Sequence, residues 1–200
     1  MKKLALLLSA ACLALFLNPA HADTLTFNSN PTGTEIGPYN LTLNTTPVSL
    51  FCLNDRNFIQ EGESWGVNVV NGAFFFGSTS GSTGFQYEKE AYIYSQYNGA
   101  NATDVQDALW TIFDPGTLNT DAGSQSLVQA ATNFNGYSTS FLAQSTFYIW
   151  DGGSISNQYQ NFPPQNFVGT SPVPEPSSLL LLGSGFVGLA GMVRRRLLRS

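Results

Sequence analysis

The C-terminal end places the strongest constraint on the fold, because it reads as a membrane segment and not as part of a globular core. Val173-Pro174-Glu175-Pro176 precedes an apolar run of 17 residues, 177–193. As a helix this run spans roughly 25 Å, enough to cross a bilayer if flanking arginines extend to the headgroups. The basic tail that follows comprises Arg194, Arg195, Arg196 and Arg199. We therefore expect a C-terminal transmembrane helix, weakened by four glycines, with the tail on the cytoplasmic side.

The Pro-Glu-Pro triplet, the apolar helix and the arginine cluster together resemble the PEP-CTERM sorting signal of exported bacterial proteins, over residues 173–200. The resemblance implies cleavage by an exosortase-like membrane enzyme. It also implies a protein tethered to the inner membrane and then delivered to the cell surface or outside the cell, in a Gram-negative bacterium that makes exopolysaccharide. An ordinary single-pass anchor is the alternative.

The N-terminus has the pattern of a secretory signal peptide. Met1-Lys2-Lys3 is charged, residues 4–17 are apolar, and Ala20 and Ala22 occupy the small-residue positions of a cleavage site. We expect signal peptidase to remove residues 1–22. A lipoprotein acylated at Cys12 is the alternative.

The composition between these ends excludes several function classes. Residues 23–172 hold twelve acidic and two basic side chains, a formal charge of −10, which argues against nucleic-acid binding. They contain no histidine and one cysteine, Cys52. Catalytic arrangements that need histidine, histidine metal sites and an internal disulfide are therefore excluded, and no metal or cofactor is expected.

Hydrophobic periodicity predicts one exported domain at residues 23–153 and an Asn/Gln/Pro-rich spacer at 154–172. Alternating apolar residues predict strands near 25–27, 41–43 and 65–69, and a compact apolar run predicts another at 48–53. Helical spacing predicts helices over 88–97, 103–113 and 124–133, and residues 141–150 read as a long strand or strand pair. The predicted fold is α+β, a small β-sandwich or barrel-like domain with a two- to three-helix insertion.

Two short motifs bring Cys52 and Gln106 to attention. Cys52 follows Phe51 in a predicted strand, and Gln106 begins Gln106-Asp107-Ala108-Leu109-Trp110 in a predicted helix. This arrangement is similar to the thioester domains of bacterial surface adhesins. The resemblance implies that the Gln106 side chain acylates the Cys52 sulfur with loss of ammonia, and that an amine or hydroxyl on a target opens the thioester. A buried core thiol beside an ordinary helix residue is the alternative.

Other candidate sites have a weaker pattern. The acidic pairs Glu61/Glu63 and Glu88/Glu90 resemble paired glycosidase carboxylates, although solvated surface acids are the favoured interpretation. Five aromatic residues can either stack on sugar rings or belong to the core: Tyr39, Tyr137, Tyr148, Trp150 and Tyr159.

These observations predict a non-enzymatic surface or matrix protein, with a structural or adhesive role among exopolysaccharide in a biofilm. One alternative is a covalent adhesin that uses the Cys52–Gln106 thioester on surface amines or hydroxyls. A polysaccharide hydrolase is a lower alternative.

Overall fold

Six antiparallel strands close into a barrel in the order β1-β2-β3-β6-β5-β4. The structure is a computed structural model that describes residues 23–31, 33–77, 82–114 and 121–171. The strands are β1 (Asp23–Ser29), β2 (Tyr39–Leu43), β3 (Thr46–Cys52), β4 (Ser64–Asn71), β5 (Thr146–Ser156) and β6 (Phe167–Gly169). The predicted α+β, barrel-like class is confirmed.

Period-two alternation builds the interior of the barrel. Leu25 lies opposite Leu43 on β2 and Trp65 on β4, and all three side chains are buried. Successive side chains of a strand point to opposite faces, so Phe51 and Cys52 enter different cores. Phe51 packs between the barrel and the helices, whereas Cys52 belongs to the barrel interior.

The helices lie between β4 and β5, as the predicted insertion required. A 3₁₀ helix, Gly72–Phe75, precedes α1 (Ser82–Ser95), α2 (Ala102–Phe113), α3 (Ala122–Asn133) and the one-turn helix α4 (Thr139–Leu142). The three predicted helices are confirmed with shifted ends. Asn101 occupies the N-cap position of α2, and α3 begins after Asp121, whose side chain accepts a hydrogen bond from the Ser124 amide.

Two predictions for the C-terminal part of the domain are wrong. Phe141 lies in α4 and not in a strand, and β5 continues through Asp151-Gly152-Gly153 to Ser156. The predicted spacer 154–172 also contributes β6, which pairs with both β3 and β5, and the compact unit extends to Thr170. Phe167 and Val168 are fully buried, and burial of this short apolar pair closes the barrel.

Two hydrophobic clusters meet at α2. One lies between the helices and the outer face of the barrel, and the other fills the barrel. Leu109 of α2 belongs to the first cluster, while Trp110 reaches the second. Helix α2 is therefore the element that connects the helical layer to the interior of the barrel.

Candidate functional site

Cys52 and Gln106 lie together at the end of β3, and both are completely buried. Cys52 is the last residue of β3 and pairs with Phe167 on β6. Gln106 lies on the apolar face of α2, between the buried residues Val105 and Leu109. Residues 54 apart in sequence thus meet because α2 packs against β3.

The Gln106 carboxamide is held by three hydrogen bonds to backbone groups. Its Nε2 donates to the Cys52 carbonyl at 2.6 Å. Its Oε1 accepts from the Cys52 amide at 3.4 Å and from the Gly37 amide at 3.3 Å. Two backbone N–H groups therefore polarise the carbonyl of a fully buried amide, and the side chain has one fixed orientation.

One face of α2 carries three contacts to the segment around Cys52. Gln106, Trp110 and Asp114 follow at four-residue spacing, which places them on one side of the helix and its C-cap. Trp110 Nε1 donates to Cys52 Sγ at 3.5 Å, and Asp114 Oδ2 accepts from the Asp55 amide at 3.1 Å. The helix thus positions the Gln106 carboxamide, the indole that contacts the Cys52 sulfur and the loop that follows β3.

The environment keeps the Cys52 thiol protonated. Burial raises its pKa to about 12, although the Trp110 indole and the local backbone oppose that shift. Sγ also contacts the Asn54 carbonyl at 3.3 Å, to which the thiol hydrogen can be donated. The sulfur is therefore a neutral thiol at physiological pH, shielded from water.

Aromatic rings cover the outer side of this strand end. Phe51 makes edge-to-face contacts with Tyr97 at 4.8 Å and Tyr94 at 6.1 Å between ring centroids, both from the region of α1. Tyr39 lies on the barrel side, and its hydroxyl donates to the Glu35 carbonyl. Burial raises the pKa of Tyr39, so its hydroxyl stays neutral.

Gly37, in the turn between β1 and β2, is a site residue that the sequence motifs do not identify. A Cβ at this position would lie 2.8 Å from Gln106 Oε1 and 3.0 Å from the Phe51 ring. The backbone can approach the carboxamide this closely because residue 37 has no side chain. No local pattern in the sequence links this turn to Gln106, which is 69 positions away.

The interpretation of the acidic pairs as solvated is wrong for three of the four residues. Glu61 is exposed, but Glu63, Glu88 and Glu90 are buried. Glu63 accepts a hydrogen bond from the Gln60 amide and Glu88 from the Gly77 amide. Both carboxyl oxygens of Glu90 have no partner among the described residues, and burial raises its pKa well above the usual range, with Asp114 adding to the shift.

Of the five aromatic residues, Tyr39 and Tyr148 belong to the barrel core. Among the described residues, no group of three or more histidine, cysteine, aspartate or glutamate side chains is placed to hold a metal ion. The same residues contain no helix with the length and hydropathy needed to cross a membrane. The predicted signal peptide, the sorting motif, the apolar helix 177–193 and the basic tail lie outside the described residues.

A family model described as the PEP-CTERM protein-sorting motif matches residues 172–196. The chain therefore carries a PEP-CTERM sorting signal, which confirms that prediction. The motif supports export through an exosortase-type system and implies processing by the exosortase, a membrane enzyme. No curated protein and no solved structure matches the chain.

Proposed function

We propose that this exported protein is a non-enzymatic attachment module of the cell surface or extracellular matrix, and that it attaches covalently through an internal Cys52–Gln106 thioester. The observation that carries the proposal is the buried Gln106 carboxamide, hydrogen-bonded to both backbone groups of Cys52. The similarity of the two motifs to adhesin thioester domains points to the same chemistry.

Formation of the thioester needs only the two side chains. Cys52 Sγ adds to Gln106 Cδ, and the developing oxyanion takes up the position of Oε1, where the amides of Gly37 and Cys52 donate. The C–N bond then breaks. The thiol hydrogen moves to the departing nitrogen, which leaves as ammonia, so that Sγ–Cδ replaces Cδ–Nε2.

Burial supports the persistence of such a bond. A thioester is a better acyl donor than an amide and survives only where water is excluded, and both partners are inaccessible to solvent. The raised pKa of Cys52 argues against a reactive thiolate at rest, so bond formation requires the thiol hydrogen to be transferred as Sγ adds to Gln106 Cδ. It needs no histidine, and none is present after residue 21.

The ends of the chain supply the route to the surface. In this proposal the helix 177–193 is a temporary transmembrane anchor, the exosortase cuts near Pro174-Glu175-Pro176, and the product joins the exopolysaccharide or biofilm of a Gram-negative cell. Deletion of residues 194–200 is expected to leave the uncut form in the membrane. Unchanged maturation of that variant in the native host would contradict this route.

Intact mass spectrometry of the exported protein tests the thioester. The expected mass falls one ammonia below that of the processed sequence, and Cys52→Ala and Gln106→Ala both abolish the deficit. Gln96→Ala is the matched control, since Gln96 is an exposed glutamine on the neighbouring segment, and it should retain the deficit. A full mass together with a cysteine that alkylates after denaturation rules the covalent function out.

A non-covalent structural or polysaccharide-binding module is the second candidate. The observation in its favour is that burial raises the pKa of Cys52, because this effect suits an inert core thiol equally well. In that case Gln106 is a structural residue that caps the end of β3. The mass measurement separates the two candidates.

A further inference from the structure

A cleft of about 470 Å³ opens beside the Cys52–Gln106 pair. Trp110 contributes to its lining, and the indole nitrogen of this residue donates to Cys52 Sγ. Tyr39 lines the same cleft from β2 and carries its hydroxyl against the Glu35 backbone. The cleft therefore approaches the sulfur through the Trp110 side chain, which is in contact with it.

The charged residues that line the cleft are all acidic. Glu35, Asp55 and Glu61 line it, and none of the described lining residues is basic. Glu35 and Glu61 are exposed and Asp55 is half-buried, so their carboxylates face solvent at the opening. The Asp114 carboxylate holds the Asp55 backbone, which fixes the position of one of these acids. Carboxylates gathered in a cleft with apolar walls raise the local concentration of cations.

Gln165 supplies an observation independent of the carboxylates. It lines the cleft, is 7 % exposed, and donates through Nε2 to the Asn57 carbonyl. Its Oε1 has no hydrogen-bond partner among the described residues. A buried amide oxygen without a partner is costly, and because Gln165 lines the cleft, a small rotation of its side chain would present this oxygen to an N–H donor that enters.

Aromatic side chains complete the walls. Phe58 is 43 % exposed at the cleft and is supported by an edge-to-face contact with Phe162 at 5.3 Å. Trp110 lies deeper and is nearly buried. Aromatic faces attract ammonium groups and also cover the methylene chain or sugar ring that carries them.

We propose that this cleft is a non-covalent binding site for a primary ammonium group, with Glu35, Asp55 and Glu61 providing the charge and Gln165 Oε1 accepting an N–H. A quaternary ammonium lacks the donor that Gln165 requires. A lysine side chain and an amino sugar share the required chemistry. The site does not depend on a thioester.

A role of the cleft in target capture does rest on the proposed function. A bound ammonium would lose one proton to solvent or to a cleft carboxylate, and the free amine would then attack Gln106 Cδ. The N–C bond forms as C–S breaks, and the second amine hydrogen passes to Cys52 Sγ.

Binding is measured on exported Cys52→Ala protein, which cannot form the covalent product, by calorimetry and by fluorescence of the tryptophans. The probes are Nα-acetyl-lysine methylamide and a glucosamine oligomer, each paired with a neutral counterpart, Nα-acetyl-norleucine methylamide and an N-acetylglucosamine oligomer. We expect the ammonium probes to bind at least about tenfold more tightly than their neutral partners, and the difference to shrink as salt is added. The ammonium probe that binds more tightly shows whether the ligand is a lysine side chain or an amino sugar.

The charge variants make the test specific. Glu35→Gln, Asp55→Asn and Glu61→Gln together should weaken ammonium binding about tenfold or more, and each alone about two- to fivefold. Asp23→Asn is the matched control, since it removes the same charge outside the cleft lining, and should change binding less than about twofold. Cys52→Ser replaces Cys52→Ala if the latter does not fold.

Equal binding of ammonium and neutral probes, or retention of ammonium binding by the triple variant, overturns the cleft proposal. These outcomes are distinct from failure of the thioester, which appears only in the mass of the wild-type protein.

Discussion

Two buried polar side chains on neighbouring helices differ sharply in how their polar atoms are satisfied. Gln106 on α2 and Glu90 on α1 both have no exposed surface. Gln106 makes three hydrogen bonds to backbone groups, whereas neither oxygen of Glu90 has a partner among the described residues. The same protein thus contains one polar group that stabilises its surroundings and another whose charged form the fold penalises.

The two side chains affect the stability of the domain in different ways. The carboxamide of Gln106 bridges elements that are distant in sequence, because it joins the Gly37 turn and the end of β3 to α2. Burial raises the pKa of Glu90 and so favours its protonated form, which couples the stability of the fold to pH. Substitutions at the two positions should therefore act in opposite directions.

The largest expected effect comes from Gln106→Leu. This change fits the apolar face of α2 but removes the side-chain partner of the Gly37 amide and of both Cys52 backbone groups. We expect the free energy of unfolding to fall by about 2–4 kcal/mol. Urea unfolding of the exported protein checks this, with Gln96→Leu on an exposed site as the control. A loss below about 0.5 kcal/mol would mean that the carboxamide is not the bridge that its contacts indicate.

Glu90 should produce the opposite response, seen as a pH dependence. Its folded pKa is raised above the unfolded value, so the native state binds more protons, and stability is lost as pH rises from about 4.3 towards the folded pKa. The loss from one such group is at most about 1.4 kcal/mol per pH unit. Glu90→Gln cannot ionise and should flatten the decline.

The measurement is urea unfolding of wild type and Glu90→Gln between about pH 5 and pH 7. Glu63 contributes a decline of the same sign, because burial raises its pKa too, so some slope remains in the variant. Glu61→Gln controls for the loss of one exposed carboxylate and should keep the wild-type slope, since Glu90 is intact. Identical slopes in wild type and Glu90→Gln would show that Glu90 ionises without penalty.

The sequence predicted the surroundings of Gln106 better than those of Glu90. Helix α2 carries a strong apolar periodicity, so the helix that holds Gln106 was predicted from spacing. Cys52 ends an apolar run that could be assigned to a strand. Their contact depends on how α2 packs on β3, and only the similarity to adhesin motifs suggested it.

The burial of Glu90 could not be predicted, because charged residues on an amphipathic helix are normally assigned to the solvated face. Strand β6 was missed for another reason. Three residues are too few to show alternation, and Phe167-Val168-Gly169 follows a segment rich in Asn, Gln and Pro. Because this strand was not predicted, the sequence also did not indicate that Gln165, two residues before it, lines the cleft. Contacts between residues more than 100 positions apart, such as Gln165 with Asn57, have no local signal.

We expect the smallest effect from Gly37→Ala, which disturbs the hydrogen bond between the Gly37 amide and Gln106 Oε1. In Gly37→Ala the new methyl group would meet Oε1 at 2.8 Å, so the carboxamide must move away from the two amides that hold it. We expect a loss of about 1 kcal/mol in stability and a smaller fraction of protein with the one-ammonia mass deficit. The matched background is Gln106→Ala, where the obstructing oxygen is absent and the same glycine substitution should cost less. Equal costs in the two backgrounds would mean that the methyl group is rejected by Phe51, and the close approach of Gly37 would then serve packing and not the carboxamide.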